Sequence, residues 1–370
     1  MITVAGVVFS ITIVALAQAS TQYTSRVLRN FMRDRLNQAV LGVFVGVFTY
    51  CLLVLRTIGG GPEPFVPTVA VFTGLVLAVV AMGFLIVFIH HIATTIQAGE
   101  IARSVMLDTR DVVDRLFPDD IGTEAAAPPD APSHALHPWH PVPARETGYV
   151  QSVRPDALLT FAIRHNAVLR MDVGVGEFVM EGRPIAHVSR TQPPDEAMVD
   201  QLNALYAVDA FRTTDQDAAF GFRQLVDIAL KALSPGINDS TTAMTSLDYL
   251  TVLLQRVARR GLESPYRSED SRLRVIARGP DFAALVDLAY SQILENAEGN
   301  ALVLARMLRS IEEVAAVTAE PSRREVLATH AGVIAEVAQR TARNSRARQR
   351  LDAAARAARV ACAREDPMTG

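Results

Sequence analysis

Three apolar stretches without a single Asp, Glu, Lys or Arg occupy the first quarter of the chain. They are residues 1–19 (MITVAGVVFSITIVALAQA), 39–55 (AVLGVFVGVFTYCLLVL) and 68–92 (TVAVFTGLVLAVVAMGFLIVFIHHI). A helix needs about 20 apolar residues to cross the ~30 Å hydrocarbon core of a bilayer, and an uncharged run of about 18 or more is a candidate span. The middle run reaches that length with its flanks. The chain therefore reads as an integral membrane protein: a transmembrane domain over 1–92, with spans at about 1–19, 39–57 and 68–92, followed by a large soluble remainder.

Basic residues set the orientation. The loop between the first two spans carries Arg26, Arg29, Arg33 and Arg35 against Asp34, whereas the GGGPEPFVP loop has only Glu63. Short loops rich in Arg and Lys stay cytoplasmic. The expected location is thus the inner (plasma) membrane, multi-pass, with Met1 outside and everything after His91 in the cytoplasm. The first span lacks a basic n-region and an A-x-A-type cleavage pattern, which argues against a signal peptide. Either insertion relies on the arginine loop alone or an upstream span that starts inside precedes this segment; the second is the favoured expectation.

Beyond the spans the text changes several times. Residues 93–117 read as a juxtamembrane helix, and 118–146 as a Pro/Ala-rich linker of a composition that buries too little surface to fold alone. His134, His137 and His140 recur there at three-residue intervals, but Pro138 and Pro141 bar a regular helix from presenting them on one face, so no metal site is expected. Residues 147–190 carry short β-type segments (GYVQSV, VLRMDV, EFVM, PIAHV) punctuated by Gly174, Gly176 and Gly182, with the helical PDALLTFAIRHN between the first two. VGVGEFVMEGRPIAHV resembles the turns of biotinyl/lipoyl-type barrel-sandwich domains. Lys231 is the sole lysine of the chain, so this segment has no acceptor for covalent biotin or lipoate, and no cofactor is expected. Residues 191–364 read as a helical cytoplasmic domain, interrupted by turns at 234–238 and 261–265, by a short strand-like RLRVI at 272–276 and by Pro321. The fold class is mainly α: transmembrane helices, a small β module and a helical domain.

One passage concentrates polar chemistry: TTDQDAAFGFRQLVDIALKALSPGINDSTTAMTSLDYL. Phe220, Leu225, Ile228, Ala229, Ala232 and Leu233 form an apolar helical face. Asp239 or Ser240 is placed to cap the next helix, whose first N–H groups need acceptors. Arg223 with Asp227, and Asp227 with Lys231, stand four apart and meet on a helix surface. The candidate ligand-binding residues are Asp217, Arg223, Gln224, Asp227, Ser234, Asn238, Asp239 and Thr241, where a helix N-terminus favours an anion. The structural alternative is a salt-bridged helix face leading into a capped corner.

FGFRQLVDIALKALSPGINDSTTA resembles the signature of domain-of-unknown-function family 2254, a family of predicted bacterial inner-membrane proteins. FSITIVALAQASTQYTSRVLRNFMRD and VFIHHIATTIQ resemble the same family's membrane region. The resemblance spans nearly the whole chain, departing at Ser240, where a proline is common. It implies membrane location and a shared fold, and an additional span before ITVAGVVFS. It implies no activity, ligand or catalytic residue.

Several function classes are excluded. Cys51 and Cys362 are too few for a disulfide framework or a Cys-based zinc site, and Lys231 does not stand in a phosphate-binding G-x-x-x-x-G-K-[ST] loop. No nucleophile–base pair stands out, so a membrane enzyme is the least favoured reading. A membrane-anchored ligand-binding or regulatory protein is favoured, and an oligomeric channel or transporter is the alternative. His90 and His91, ending the third span, could serve such a pore, although polar residues commonly sit at that interface. The expected partners are the lipid bilayer and another copy of the chain, through Gly42-x-x-x-Gly46 and the similar Gly74 and Ala78. Anionic lipid is a further one, for the segment Arg340 to Arg364 with its eight arginines; nucleic acid is not expected.

Overall fold

The computed structural model describes residues 35–58, 67–95, 97–116, 137–214, 216–260, 266–269 and 272–364, together with scattered helical positions between residues 3 and 14. It divides into two compact units, Met1–Ala102 and Arg103–Gly370. Most of the expected span 1–19, the arginine loop up to Asp34, His134 and most of the expected linker lie outside the described residues.

In the first unit, two charge-poor runs form helix α1 (Arg35–Thr57) and helix α2 (Thr68–Thr95). Within them Gln38–Thr57 and Thr68–His90 are long and apolar enough to cross a membrane. Leu55, Val69, Val79 and Ile86 point outward, an arrangement that suits hydrocarbon. Helices also satisfy their backbone N–H and C=O groups internally, as a span requires. The two helices pack through Val40, Phe44 and Val47 against Ala81 and Phe88. Tyr50 donates its hydroxyl to the Ala70 carbonyl at 3.0 Å, beside Gly74, where a Cβ would lie 3.5 Å from the Tyr50 ring. A Cβ at Gly42 or Gly46 would meet nothing within 4 Å among the described residues, so this glycine pair takes no part in the α1–α2 contact.

Helix α3 (Ala98–Leu116) buries Val105, Thr109, Val112 and Val113 in the second unit. Next come β1 (Trp139–Pro143), β2 (Gly148–Val153), α4 (Pro155–Arg164), β3 (Val168–Met171), β4 (Phe178–Val179), β5 (Pro184–Ser189), α5 (Glu196–Asn203) and β6 (Tyr206–Asp209). Together with β7 (Tyr266–Glu269) and β8 (Arg272–Ile276) they form two small sheets, ordered β1-β5-β3-β8-β7 and β4-β2-β6. The β3–β8 pair is parallel and joins chain segments about a hundred residues apart, Leu169 opposite Val275. Their shared apolar core includes Val150, Leu158, Leu169, Ile185, Val188 and Leu202.

Two expectations change here. The segment 118–146, read as a linker, contains β1, where His140 Nε2 lies 3.2 Å from the Arg190 carbonyl. Pro141 and Pro143 are tolerated because β1 is an edge strand, which needs only one row of backbone hydrogen bonds. The sheets also reach beyond 147–190: β8 is the strand-like RLRVI segment, whereas β6 and β7 come from the part read as helical or as turn.

The remainder is a helical bundle: α6 (Ala218–Leu233), α7 (Ser240–Arg259), α8 (Phe282–Asn296), α9 (Ala301–Ala315), α10 (Pro321–Thr341) and α11 (Ser345–Ala363). The side chains of Asp217, Asp239, Asp281, Asn300 and Asn344 accept N–H groups from the first turns of α6, α7, α8, α9 and α11. Helix α10 starts on Pro321, whose missing N–H is harmless at that position. Leu225, Leu250, Leu254, Leu285, Leu308 and Leu327 are fully buried between the helices. A chain of hydroxyls crosses this apolar core, with Tyr290 OH 2.5 Å from Ser310 Oγ and Ser310 Oγ 2.6 Å from Thr251 Oγ1. At the end of α7 the buried guanidinium of Arg323 donates to the carbonyls of Val257 and Arg260, at 3.2 and 2.8 Å. A cation there complements the negative end of the helix.

Candidate functional site

Strand β2 of one sheet, and β3, β8 and β7 of the other, line a cavity of about 660 Å³ with help from α4 and the segment before α6. That volume lies within the ~300–1,000 Å³ range of small-molecule sites. The apolar lining is Val153, Pro155, Leu158, Met171, Val175, Val275 and Ala277, and the polar lining is Gln151, Ser152, Thr213, Gln216, Arg267 and Arg278.

Three of these polar groups are fixed by hydrogen bonds or an ion pair. Gln216 accepts the Val153 N–H at 3.0 Å, where β2 loses regular pairing with β6 around Gln151. Gln151 donates to the Phe211 carbonyl at 2.8 Å, which ties down the segment leading to Thr213. Arg278 is held by Glu177 at 2.9 Å. The 173–178 loop reaches this position because of its glycines. A Cβ on Gly174 would lie 2.8 Å from the Arg278 carbonyl oxygen, and Gly176, at φ +85°, lies against Asp217. Partial burial draws the Arg267 guanidinium below its ordinary value, yet guanidinium groups stay charged at neutral pH. The Thr213 hydroxyl is buried without a hydrogen-bond partner among the described residues, and an unmet buried hydroxyl costs about 1–3 kcal/mol. The lining contains no carboxylate, imidazole or thiol among the described residues. The arrangement suits recognition of an anion with an apolar body: guanidinium groups match carboxylate, sulfonate or phosphate oxygens, and the apolar wall covers the rest.

The eight residues singled out from the sequence do not gather in one cavity. Asp217 is buried at the start of α6, ion-paired with Arg212 at 2.7 Å and accepting the Phe220 N–H at 2.8 Å. Burial pushes its carboxyl above the ordinary range, against the pull of Arg212. Ser234, Asn238, Asp239 and Thr241 stand at the other end of this 16-residue helix, about 24 Å away at 1.5 Å per residue. Their chemistry there is local. Ser234 Oγ donates to the Lys231 carbonyl at 2.7 Å. Asn238 adopts φ +50°, a left-handed conformation that Asn tolerates better than most residues. Asp239 accepts the N–H groups of Thr241 and Thr242 at 3.0 and 3.1 Å. Midway, Arg223 pairs with Asp227 at 2.9 Å and donates to Gln292 at 2.7 Å, while Gln224 is buried. Asp217 alone adjoins the cavity, next to Gln216. Among the described residues no group of His, Cys, Asp and Glu could hold a metal ion.

The family profile described as "Predicted membrane protein (DUF2254)" matches residues 1–313. The chain belongs to the DUF2254 family. Its DUF2254 sequence is 35% identical over 372 residues to uncharacterized protein MT1328 of Mycobacterium tuberculosis (strain CDC 1551 / Oshkosh), covering 97% of this chain and 70% of that protein. The same identity and coverage hold for uncharacterized proteins Mb1321c of Mycobacterium bovis and Rv1290c of M. tuberculosis strain H37Rv. No solved structure matches this DUF2254 chain. It is thus a predicted membrane protein of unknown function, with two helices among the described residues long and apolar enough to span a bilayer.

Proposed function

We propose that this protein is a multi-pass inner-membrane protein whose cytoplasmic domain binds a small organic anion, in a ligand-binding or regulatory role. The cavity carries the reading: Arg267, Arg278 and the unsatisfied Thr213 hydroxyl surround an apolar floor of ligand size. The cytoplasmic placement rests on the arginine-rich 21–38 loop opposed by the nearly uncharged loop before α2.

Two measurements test this. Full-length protein in nanodiscs should bind naphthalene-2-sulfonate in calorimetric titration. Arg278→Gln should weaken binding about tenfold or more, because a charge-assisted hydrogen bond contributes ~1.5–3 kcal/mol. Equal affinity in wild type and in both Arg267→Gln and Arg278→Gln would discard the cavity. A C-terminal alkaline-phosphatase fusion should be inactive and a fluorescent-protein fusion bright; the reverse pattern would discard the topology.

A further inference from the structure

The segment from Arg340 to Arg364 sets eight arginines against the lone acid Asp352. That is a net +7 in a chain of net charge −3, so the remaining residues together carry −10. Many arginines elsewhere are matched to acids, such as Arg223 to Asp227, Arg306 to Asp248 and Glu313, and Arg278 to Glu177. On α11 the pattern reverses. Arg346, Arg348, Arg350, Arg356 and Arg359 are exposed and form no ion pair with a described residue. The helix is nevertheless docked: Leu351, Ala354, Ala355 and Ala358 are buried against the bundle. Its arginines therefore occupy fixed positions on a folded surface. Between them stand short alanines and Val360, 59% exposed.

We propose that this outer face of α11 rests on an anionic phospholipid surface. A docked helix whose arginines pair with no acid among the described residues gains when an anionic sheet faces it. Each Arg close to an anionic leaflet contributes about 1 kcal/mol. A bilayer is already the environment of this chain, through α1 and α2. The segment 340–364 contains no Phe, Tyr or Trp, the side chains on which single-stranded nucleic acids stack their bases. Alanines and an exposed valine suit contact with a headgroup layer. The choice of the cytoplasmic leaflet rests on the topology proposed above, but the charge match does not.

The test uses the full chain in nanodiscs, which expose both bilayer faces, so an inverted topology would leave the result unchanged. Cys51→Ala and Cys362→Ala leave Val360→Cys as the single thiol for a bimane label, read by quenching from headgroup-spin-labelled lipid. Quenching should rise about twofold or more when phosphatidylglycerol is added to phosphatidylcholine, and fall back at high salt, which screens such attraction. Replacing Arg346, Arg350, Arg356 and Arg359 by Gln should abolish the rise while leaving the unfolding transition in place. Equal quenching in both lipids, or a rise that survives the four substitutions, would overturn the assignment. So would salt-sensitive binding of an RNA oligonucleotide that the same substitutions remove while lipid composition has no effect.

Discussion

Gly221 lies directly against Thr109: a Cβ on the glycine would sit 2.6 Å from Thr109 Cγ2 and collide with Thr109 Oγ1. Thr109 is fully buried and donates to the Val105 carbonyl at 2.6 Å. The missing side chain lets α6 approach α3 at backbone distance.

Gly221→Ala should therefore destabilise, although alanine is the better helix former by ~1 kcal/mol. Overpacking of a tight contact costs about 1–3 kcal/mol, more when nothing can yield. Thr109→Ala should recover only part of the loss in the double variant, because Thr109 Cβ itself would lie 2.7 Å from the new methyl, whereas Thr109→Gly removes that contact too; thermal unfolding in detergent reads the coupling. Additive effects would show that the two helices are not held at this point.

Asp239 and Asp217 cap consecutive helices but titrate in opposite senses. The Thr242 hydroxyl and N–H hold the Asp239 carboxyl below its ordinary value of 3.8. Its contribution to stability is present above that value and is lost as pH falls through the lower, folded one. Burial raises Asp217 above 3.8, so its contribution is greatest below that value and declines as pH rises through the raised, folded one. Asp239→Asn keeps a capping side chain, whereas Asp239→Ala should cost about 0.5–2 kcal/mol. Unfolding as a function of pH should show the difference between wild type and Asp239→Asn shrinking on acidification.

Arg323→Ala should be among the more damaging surface-to-core changes. It removes a buried cation from the carbonyls of Val257 and Arg260; Val257 keeps the Arg260 N–H, but the Arg260 carbonyl loses this donor, and a buried acceptor left unmet costs about 1–3 kcal/mol. Arg346→Ala, on an exposed position, should stay within ~0.5 kcal/mol. Denaturant midpoints compare the two directly.

Much of this architecture is written locally and could be read locally. Charge-free runs mark α1 and α2, because hydrocarbon tolerates little else. Asp239 announces the start of α7, since a cap is an interaction within four residues. Strand β1 hid behind Pro141 and Pro143, which are strand-compatible only at an edge that appears once β5 is beside it. The cavity was hidden for a related reason. Gln151, Met171, Thr213, Arg267 and Arg278 come from separated segments, and no periodicity links residues joined by a parallel pairing such as Leu169 with Val275. The polar corner at 234–241 drew notice because Ser, Asn, Asp and Thr cluster wherever a chain turns and restarts a helix, whether or not a ligand is bound.

Ser310→Ala should cost more than Tyr290→Phe. The first deprives both Tyr290 and Thr251 of a partner, whereas the second leaves the Ser310–Thr251 bond intact. Thermal unfolding of the two variants gives the order.

That row of three hydroxyls works as an alignment key. The leucines and alanines around it are interchangeable to a first approximation: slide α9 by one turn along α7 and oily surface still meets oily surface. The hydroxyls resist such a slip, because a displaced Ser310 would leave the Tyr290 hydroxyl facing apolar groups in a dry interior and Thr251 with its Leu247 carbonyl but without Ser310. Among the many ways to stack greasy helices, the bundle is held to the one in which donor meets acceptor.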